Sequence, residues 1–436
     1  MRIHSLLWAM TAVLFAQTAT AEALTAEQVT ETSQALDLTS PSHAETASTV
    51  SFVMPETQQA LFFRCAQIVS DAGRLACFDS LAVDNTPSTL AQKRPVDLSS
   101  TIRRTITGSP QLVMVNDTDV SALAPDIKED GESLTAFQDQ LESTTNDAKV
   151  LTELGLSADA LARYTPLSLA FDLDKNSERG LWSARPHNAN YILPLYFNTQ
   201  PNRNPTSPSL GTQTFSPDEL RAAELKFQMS LKTKAAENLF GTDADLWLGY
   251  TQVSHWQVYN ENNSRPFRAH DYEPEIFLTQ PVVADLPFNG KLRMLGVGAV
   301  HHSNGESDPV SRSWNRLYAM GGAEWGKLTV MPRVWVRAAV KDGQRPDDNP
   351  DITDYYGYGD VKFLYQLDQG NNVSGLFRYN PRTNKGAVQL DYVRPLHRGV
   401  SGYVQLFHGY GQSIIDYNHE ATSVGVGIML NDWMGL

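Results

Sequence analysis

Three residues in the last third of the chain have side chains that could together hydrolyse an ester. Ser303 follows His301 by two positions, and Asn315 follows after a polar segment. A serine hydroxyl attacks an ester carbonyl efficiently only when a base takes its proton, and histidine can act as that base. The imidazole needs an acceptor on its other nitrogen, which an asparagine amide oxygen can supply. The residue types and spacing therefore suggest a hydrolytic triad.

The segment between these residues is rich in oxygen ligands. Asp308, Ser307 and Ser311, with several main-chain carbonyls, form the kind of oxygen-only set that binds calcium. A calcium ion near Ser303 would polarise the ester and stabilise the oxyanion. Simpler interpretations remain open: a loop-start hydroxyl for the serine, an interfacial aromatic for either histidine, and a turn at Asp308-Pro309.

The elements that carry these residues are predicted from a repeating alternation of apolar and polar residues. It is clear in 224–232, 327–338, 360–367, 387–393 and 423–430. Period two over many segments is typical of strands with one apolar and one polar face. About twelve segments follow Asn190. Long polar connections, such as 260–272, alternate with shorter ones, such as 284–290, and Trp and Tyr cluster toward strand ends, as in outer-membrane barrels. We expect an all-β, antiparallel transmembrane barrel.

The same period places the candidate site on that barrel. Leu295, Val297 and Ala299 share a face with His301 and Ser303, because alternate residues of a strand point the same way. The apolar residues make this the lipid side. The histidine and the serine should then lie at the outer end of a lipid-facing stripe, with the asparagine flanking them from the next strand.

The remainder of the chain predicts export. Leu6 to Phe15 is apolar and precedes Ala19-Thr20-Ala21, so residues 1–21 are predicted to be a signal peptide. After them, no run approaches the roughly 20 apolar residues of a membrane helix. The net charge is −14, and without a basic patch the chain is a poor partner for nucleic acid.

Two regions follow the predicted signal peptide. Residues 22–164 are rich in Ala, Thr, Ser, Asp and Glu, and are predicted to be a partly helical or disordered periplasmic extension. Its cysteines, Cys65 and Cys77, are expected to form a disulfide in an oxidising compartment. Residues 165–436 are predicted to form the barrel.

The candidate segment also resembles a known family. His301-x-Ser303-Asn304-Gly305, followed by Ser307-Asp308-Pro309 and by 311–318, is similar to the signature of the outer membrane phospholipase A family. The similarity covers roughly residues 165–436 and continues in Tyr250-Thr251-Gln252, Pro266-Phe267-Arg268, Tyr272-Glu273-Pro274, 347–353, Gly409-Tyr410-Gly411, 415–418, 424–427 and 429–432.

This resemblance implies a twelve-stranded barrel with His301, Ser303 and Asn315 as catalytic residues. It implies that calcium is held by the Ser311 hydroxyl, the Glu306 main-chain carbonyl and Asp308. It also implies an active homodimer, in which Ser264 supplies a calcium ligand across the interface and Gln252 forms hydrogen bonds at the contact. For Gln252, an inward-facing polar residue of the barrel is the alternative. Glu306 stands where the family often has a basic residue, and Val310 where a hydroxyl residue is common.

The expected function is calcium-dependent hydrolysis of phospholipid and lysophospholipid acyl esters, of A1 or A2 type, in a Gram-negative outer membrane. The alternative is a passive pore or adhesin on the same barrel, in which Ser303 has no role. A soluble secreted esterase is disfavoured by the lipid-facing stripe and by the lack of a G-x-S-x-G motif.

Overall fold

A computed structural model describes residues 62–66, 77–78, 95–107, 109–115, 165–174, 180–338, 347–367, 370–397 and 400–431. All of these belong to one compact unit, Met54–Leu436. The predicted signal peptide, residues 1–21, lies outside the described residues. Within the described ranges, no helix combines the length and hydropathy that are needed to cross a membrane.

Twelve antiparallel strands in the described part of the chain close into a barrel. Each strand pairs with the next along the chain, and the last pairs with the first, so the sheet has no open edge. The strands are β1 (Asn190–Asn198), β2 (Ala223–Leu239), β3 (Ala244–Trp256), β4 (Phe267–Leu286), β5 (Gly290–Ser303), β6 (Ser313–Trp325), β7 (Leu328–Ala338), β8 (Gly359–Gln366), β9 (Asn372–Asn380), β10 (Lys385–His397), β11 (Val400–Tyr410) and β12 (Glu420–Asn431). The predicted all-β barrel is confirmed.

The alternation in the sequence corresponds to the two faces of the barrel wall. In β2, Met229 and Leu231 are exposed, whereas Ser230 and Lys232 beside them are buried. The outward apolar band includes Leu195, Phe197, Ile276, Val297, Leu317, Val336, Phe377, Leu390, Leu406, Val426 and Leu430. The buried polar residues of the interior include Glu224, Lys226, Arg293, Arg316, Asp360, Ser374, Asp391, Gln405 and Ser423. An apolar exterior around a polar interior is what a membrane-spanning barrel requires.

Strand β4 is longer than the polar composition of the connections at its two ends predicted. The predicted polar loop 260–272 ends early, because β4 already begins at Phe267. At the other end of β4, the predicted connection 284–290 shrinks to three residues between Leu286 and Gly290. Phe288 and Asn289 adopt left-handed conformations there. A turn needs only a few residues, so ladder pairing continues into polar sequence until backbone geometry ends it.

Several short elements of the described chain precede the barrel. The strand Val96–Asp97 pairs in parallel with Val282 and Val283 of β4 and leads into helix α1 (Leu98–Ile106), whose N-terminus is capped by the Asp97 carboxylate. Helix α2 (Pro166–Phe171) buries its apolar residues in the same core as barrel residues. Cys65 and Cys77 are joined by a disulfide, with Cα atoms 5.5 Å apart.

The segment around α2 is tied to the barrel interior by charge. The Leu167 amide donates to Glu324 Oε1 at 3.0 Å. Lys234 Nζ lies 2.6 Å from Asp172 Oδ2, and an Arg293 guanidinium nitrogen lies 2.8 Å from Asp174 Oδ2. Buried charges are costly unless they are paired, so these contacts fix the segment against one end of the barrel.

Candidate active site

The hairpin between β5 and β6 brings the three predicted catalytic residues together. In the antiparallel register His301 lies opposite Asn315, and Ser303 lies opposite Ser313. Residues two apart on a strand point the same way, so the histidine and the serine share one face. That face is the outward one, because Val297 on the same stripe is 54% exposed. All three predicted residues are half-buried at the end of this apolar stripe.

The hydrogen bond between the two strands determines which imidazole nitrogen can act as a base. His301 Nδ1 lies 2.8 Å from Asn315 Oδ1. A carbonyl oxygen only accepts, so Nδ1 carries the proton in this pair. Nε2 is then left with its lone pair, which is the state that a base for the Ser303 hydroxyl requires.

The loop that follows the serine is closed at its base by one side chain. Asn304 is 3% exposed; its Nδ2 donates to the Val310 carbonyl at 2.7 Å, and its Oδ1 accepts from the Arg312 amide at 2.9 Å. A main-chain bond from Asn304 to the Arg312 carbonyl, 3.1 Å long, adds to this closure. The position of Ser303 at the start of the loop is therefore held by buried hydrogen bonds.

Tyr272 forms the neighbouring wall of the site on β4. It lies opposite Ser303 in the β4–β5 register. Gly305 lies close to the same ring and has a φ of +69°. A Cβ atom at this position would lie 3.2 Å from a ring carbon. Glycine fits this position because any other side chain would be strained at this positive φ and its Cβ would press on the ring.

A charged side chain supports the far side of the loop. The Arg312 guanidinium is fully buried and donates to the carbonyls of Pro309 and Ser311, at 3.0 and 2.7 Å. Burial lowers the pKa of Arg312, whereas the nearby Tyr417 hydroxyl and the Asp348 carboxylate act in the opposite direction. These hydrogen bonds from Arg312 hold the main chain of the loop that is predicted to supply calcium ligands.

Three of the four residues predicted to bind calcium lie on this loop, and a carboxylate that was not predicted reaches it. Glu306 and Asp308 are exposed, and Ser311 is half-buried. The Ser311 hydroxyl donates to Asp348 Oδ2 at 2.8 Å, and the Ser313 hydroxyl donates to the same oxygen at 3.1 Å. A second carboxylate thus reaches the loop from the connection that precedes β8.

This donor set fits a hard cation. Within the described ranges, no group of three or more His, Cys, Asp or Glu side chains forms a metal cluster. A site here would use hydroxyl and carbonyl oxygens beside the two carboxylates, which is a combination that calcium accepts.

The two residues predicted to act across a dimer lie on β3 and in the connection that follows it. Ser264 lies in the loop before β4, in a left-handed conformation with φ at 54°. Gln252 lies on the outward face of β3, where its side chain donates to Ser254 Oγ at 3.1 Å and accepts from the Tyr250 hydroxyl at 3.2 Å. The inward-facing alternative for Gln252 does not match this placement.

Sequence reasoning did not single out several residues that shape the site. Tyr272, Asn304, Arg312 and Asp348 were part of the family match or adjacent to it, but they were given no role. The inward neighbours of the triad were given no role in the site either. His302 was considered only as an interfacial aromatic, although the period of two already places it and Trp314 behind the triad.

The family comparison covers most of the barrel region. The model of the family described as phospholipase A1 matches residues 167–430. The chain is 47% identical over 380 residues to a putative phospholipase A1 of Neisseria meningitidis, covering 86% of this chain and 91% of the relative. It is 42% identical over 216 residues to phospholipase A1 of Escherichia coli, covering 49% of this chain and 72% of the relative.

Solved structures agree with the sequence relatives. The outer membrane phospholipase A of Escherichia coli is 34% identical, with a TM-score of 0.54, and covers 62% of this chain and 98% of its own. A Salmonella typhi outer membrane phospholipase, solved as a dimer with bound calcium, has a TM-score of 0.55 at 34% identity. The match covers 62% of this chain and 99% of that one. The family match extends over more than half of the chain, and the barrel superposes on theirs. The chain therefore belongs to the phospholipase A1 family, the outer membrane phospholipases A.

Proposed function

We propose that this protein is a calcium-dependent phospholipase of a Gram-negative outer membrane, which hydrolyses acyl esters of phospholipids and lysophospholipids. The observation that carries the proposal is the 2.8 Å bond from His301 Nδ1 to Asn315 Oδ1, on the outward face that also bears Ser303. The names of the relatives support the substrate class. A related Escherichia coli structure that carries an asparagine-to-alanine change in its active site supports the role of the amide.

The proposed reaction has two steps at the serine. Ser303 Oγ attacks the acyl carbonyl carbon as its proton passes to His301 Nε2, and the tetrahedral intermediate forms. His301 then gives this proton to the departing alkoxide, which leaves as the lysophospholipid alcohol. A water molecule, deprotonated by His301, attacks the acyl-serine. His301 then returns this proton to Ser303 Oγ as the bond to the acyl carbon breaks, which releases the fatty acid and restores the serine. Asn315 holds the ring in one tautomer through both steps.

The loop residues would hold the cation beside this serine. The Ser311 hydroxyl, the Glu306 main-chain carbonyl and Asp308 are the proposed ligands, and Asp348 joins them because it already accepts from Ser311. When bound, calcium supplies a Lewis acid that polarises the ester carbonyl. Before any cation binds, the carboxylate of Asp348 keeps the hydroxyls of Ser311 and Ser313 turned toward one point.

The placement of the site favours substrate entry from the bilayer. The triad lies on the outward surface, so an ester can reach it from the lipid side rather than through the lumen. We propose that two barrels associate through this surface, with Gln252 at the contact and Ser264 near the partner's calcium. The dimeric Salmonella typhi structure with calcium supports this arrangement. The extension, residues 22–164, is assigned to the periplasm.

Hydrolysis of mixed micelles by detergent-refolded protein tests the proposal. Fatty-acid release should require calcium, stop with a chelator, and fall to background in Ser303→Ala and His301→Ala. Ser401→Ala and His408→Ala are matched controls, since both residues lie on β11 away from the site, and they should retain activity. A wild type that is inactive at every calcium level, or a Ser303→Ala variant as active as its control, would contradict the proposal.

A further inference from the structure

A cluster of side chains lies inside the barrel directly behind the triad. Its members alternate with the outward residues of three adjacent strands, so each one is covalently next to a residue of the site. His302 stands between His301 and Ser303, and it is 3% exposed. We call the group the lumen clamp; it consists of Asp271, Glu273, His302, Trp314 and Arg316.

The central contact of the lumen clamp joins β5 to β6. The Trp314 indole N–H donates to His302 Nδ1 at 3.3 Å. An indole nitrogen only donates, so Nδ1 of this histidine must be the unprotonated nitrogen. The proton is then on Nε2, which lies 3.5 Å from Asp271 Oδ2 on β4 and forms no hydrogen bond to the described residues. One imidazole on β5 therefore bridges to β6 by a hydrogen bond and to β4 by a longer contact between its N–H and a carboxylate.

Other members of the lumen clamp support this bridge. An Arg316 guanidinium nitrogen lies 3.2 Å from Glu273 Oε2, and its Cζ lies 4.4 Å from the centre of a Trp314 ring. Asp271 also accepts from the Ile414 amide through both carboxylate oxygens, each at 3.0 Å. The loop before β12 is thereby connected to the same cluster.

We propose that His302 and Trp314 are positioning residues for the reaction, acting through the backbone on His301, Ser303 and Asn315. This inference rests on the proposed function. Lipid on the outward side offers no directional contacts to the triad. Besides the Asn315 bond to His301 and the Asn304 bonds at the loop, the contacts that can hold the backbone under these residues therefore come from the lumen side. His302 fixes the backbone position of His301 and Ser303 beside it, and Trp314 fixes that of Asn315, which follows it. A misplacement of about 1 Å in a reacting group can lower a rate by about 100-fold.

The alternative is that these residues only fill the barrel interior. In that case their substitution would change stability, but the rate per folded molecule would stay the same. Tyr318 is the matched control for this distinction. It also points inward from β6, is buried, and donates to a carboxylate on β4, Glu275 Oε2, at 2.7 Å. It lies two inward positions farther from the site than Trp314.

The experiment measures kcat, KM and the rate of covalent trapping of the serine by a long-chain sulfonyl fluoride, each normalised to folded protein. His302→Leu and Trp314→Phe should each lower kcat and the trapping rate by about 10-fold, with KM within about twofold. The double variant should be no slower than the slower single variant, because both changes remove the same hydrogen bond. His302→Gln should recover most of the rate, since its amide oxygen can accept from the indole.

Three results would overturn the inference while leaving the proposed function intact. The variants could match wild type per folded molecule, Tyr318→Phe could be as slow as they are, or His302→Gln could be as slow as His302→Leu. If His302→Leu does not fold, the comparison of Trp314→Phe with His302→Gln decides the question. In contrast, an inactive wild type or an active Ser303→Ala variant would remove the proposed function itself.

Discussion

Replacing Asn315 with alanine is the perturbation whose consequence is most directly set by the structure. The change removes the acceptor that lies 2.8 Å from His301 Nδ1. In the transition state the donor becomes an imidazolium, and hydrogen bonds to charged groups contribute about 1.5–3 kcal/mol. At about 1.4 kcal/mol for each factor of ten, kcat should fall by about 10- to 150-fold.

Two comparisons make this prediction specific. Asn315→Asp keeps an acceptor at the same place, so it should retain more activity than Asn315→Ala. Asn372→Ala, on β9 away from the site, should change kcat by less than about twofold, as expected for a change outside the machinery.

The assay is the initial rate of fatty-acid release at saturating calcium, over a range of lipid mole fractions in mixed micelles. KM should stay near its wild-type value, because the amide is assigned to the histidine and not to the lipid. The reasoning would be refuted if Asn315→Ala kept full kcat. It would also be refuted if Asn315→Ala were as inactive as Ser303→Ala, because the orientation of His301 by Asn315 is expected to account for only part of the rate enhancement.

Three further outcomes follow from other contacts in the structure. Asp348→Ala should raise the calcium concentration needed for half-maximal activity, as measured by calcium titration, whereas an unchanged requirement would exclude it as a ligand. Gly305→Ala should cost about 1 kcal/mol of stability and lower activity, because a Cβ would meet the Tyr272 ring at positive φ. Asp416 Oδ2, in the connection before β12, lies 2.6 Å from a guanidinium nitrogen of Arg268. Burial favours the protonated form of Asp416, but this guanidinium holds the pKa of the carboxyl below its usual range. The ionised carboxylate of Asp416 therefore stabilises the fold at pH values above its unfolded pKa of about 4, and this stabilisation should be lost as the pH falls through the folded pKa. When acid unfolding is followed by gel shift, the stability of Asp416→Asn should depend less steeply on pH than that of the wild type.

Much of the fold and the face of the site follow from local periodicity. A strand alternates its side chains, so apolar residues at 295, 297 and 299 already place His301 and Ser303 outward. The same counting along β3 places Gln252 on the face of Leu246 and Leu248, which would have resolved its orientation from the sequence.

The remaining features depend on contacts between distant segments. Asp348 reaches Ser311 from 37 residues further along the chain, through a connection without strand periodicity. The segment around α2 likewise has no repeating pattern that would place Asp172 beside Lys234 of the barrel. The contact of His302 with Trp314 requires the register of β5 on β6, which the hydrophobic pattern restricts but does not specify by itself.

The most direct test of the account is to identify the residue that a long-chain sulfonyl fluoride modifies in the refolded protein. We expect one adduct, on the peptide that contains Ser303, formed in the presence of calcium and in proportion to the activity lost. It should be absent in His301→Ala, because an unactivated serine hydroxyl is a weak nucleophile. Inactivation with the adduct on another residue, or an unmodified Ser303 in fully inactivated protein, would contradict the assignment of this serine as the nucleophile.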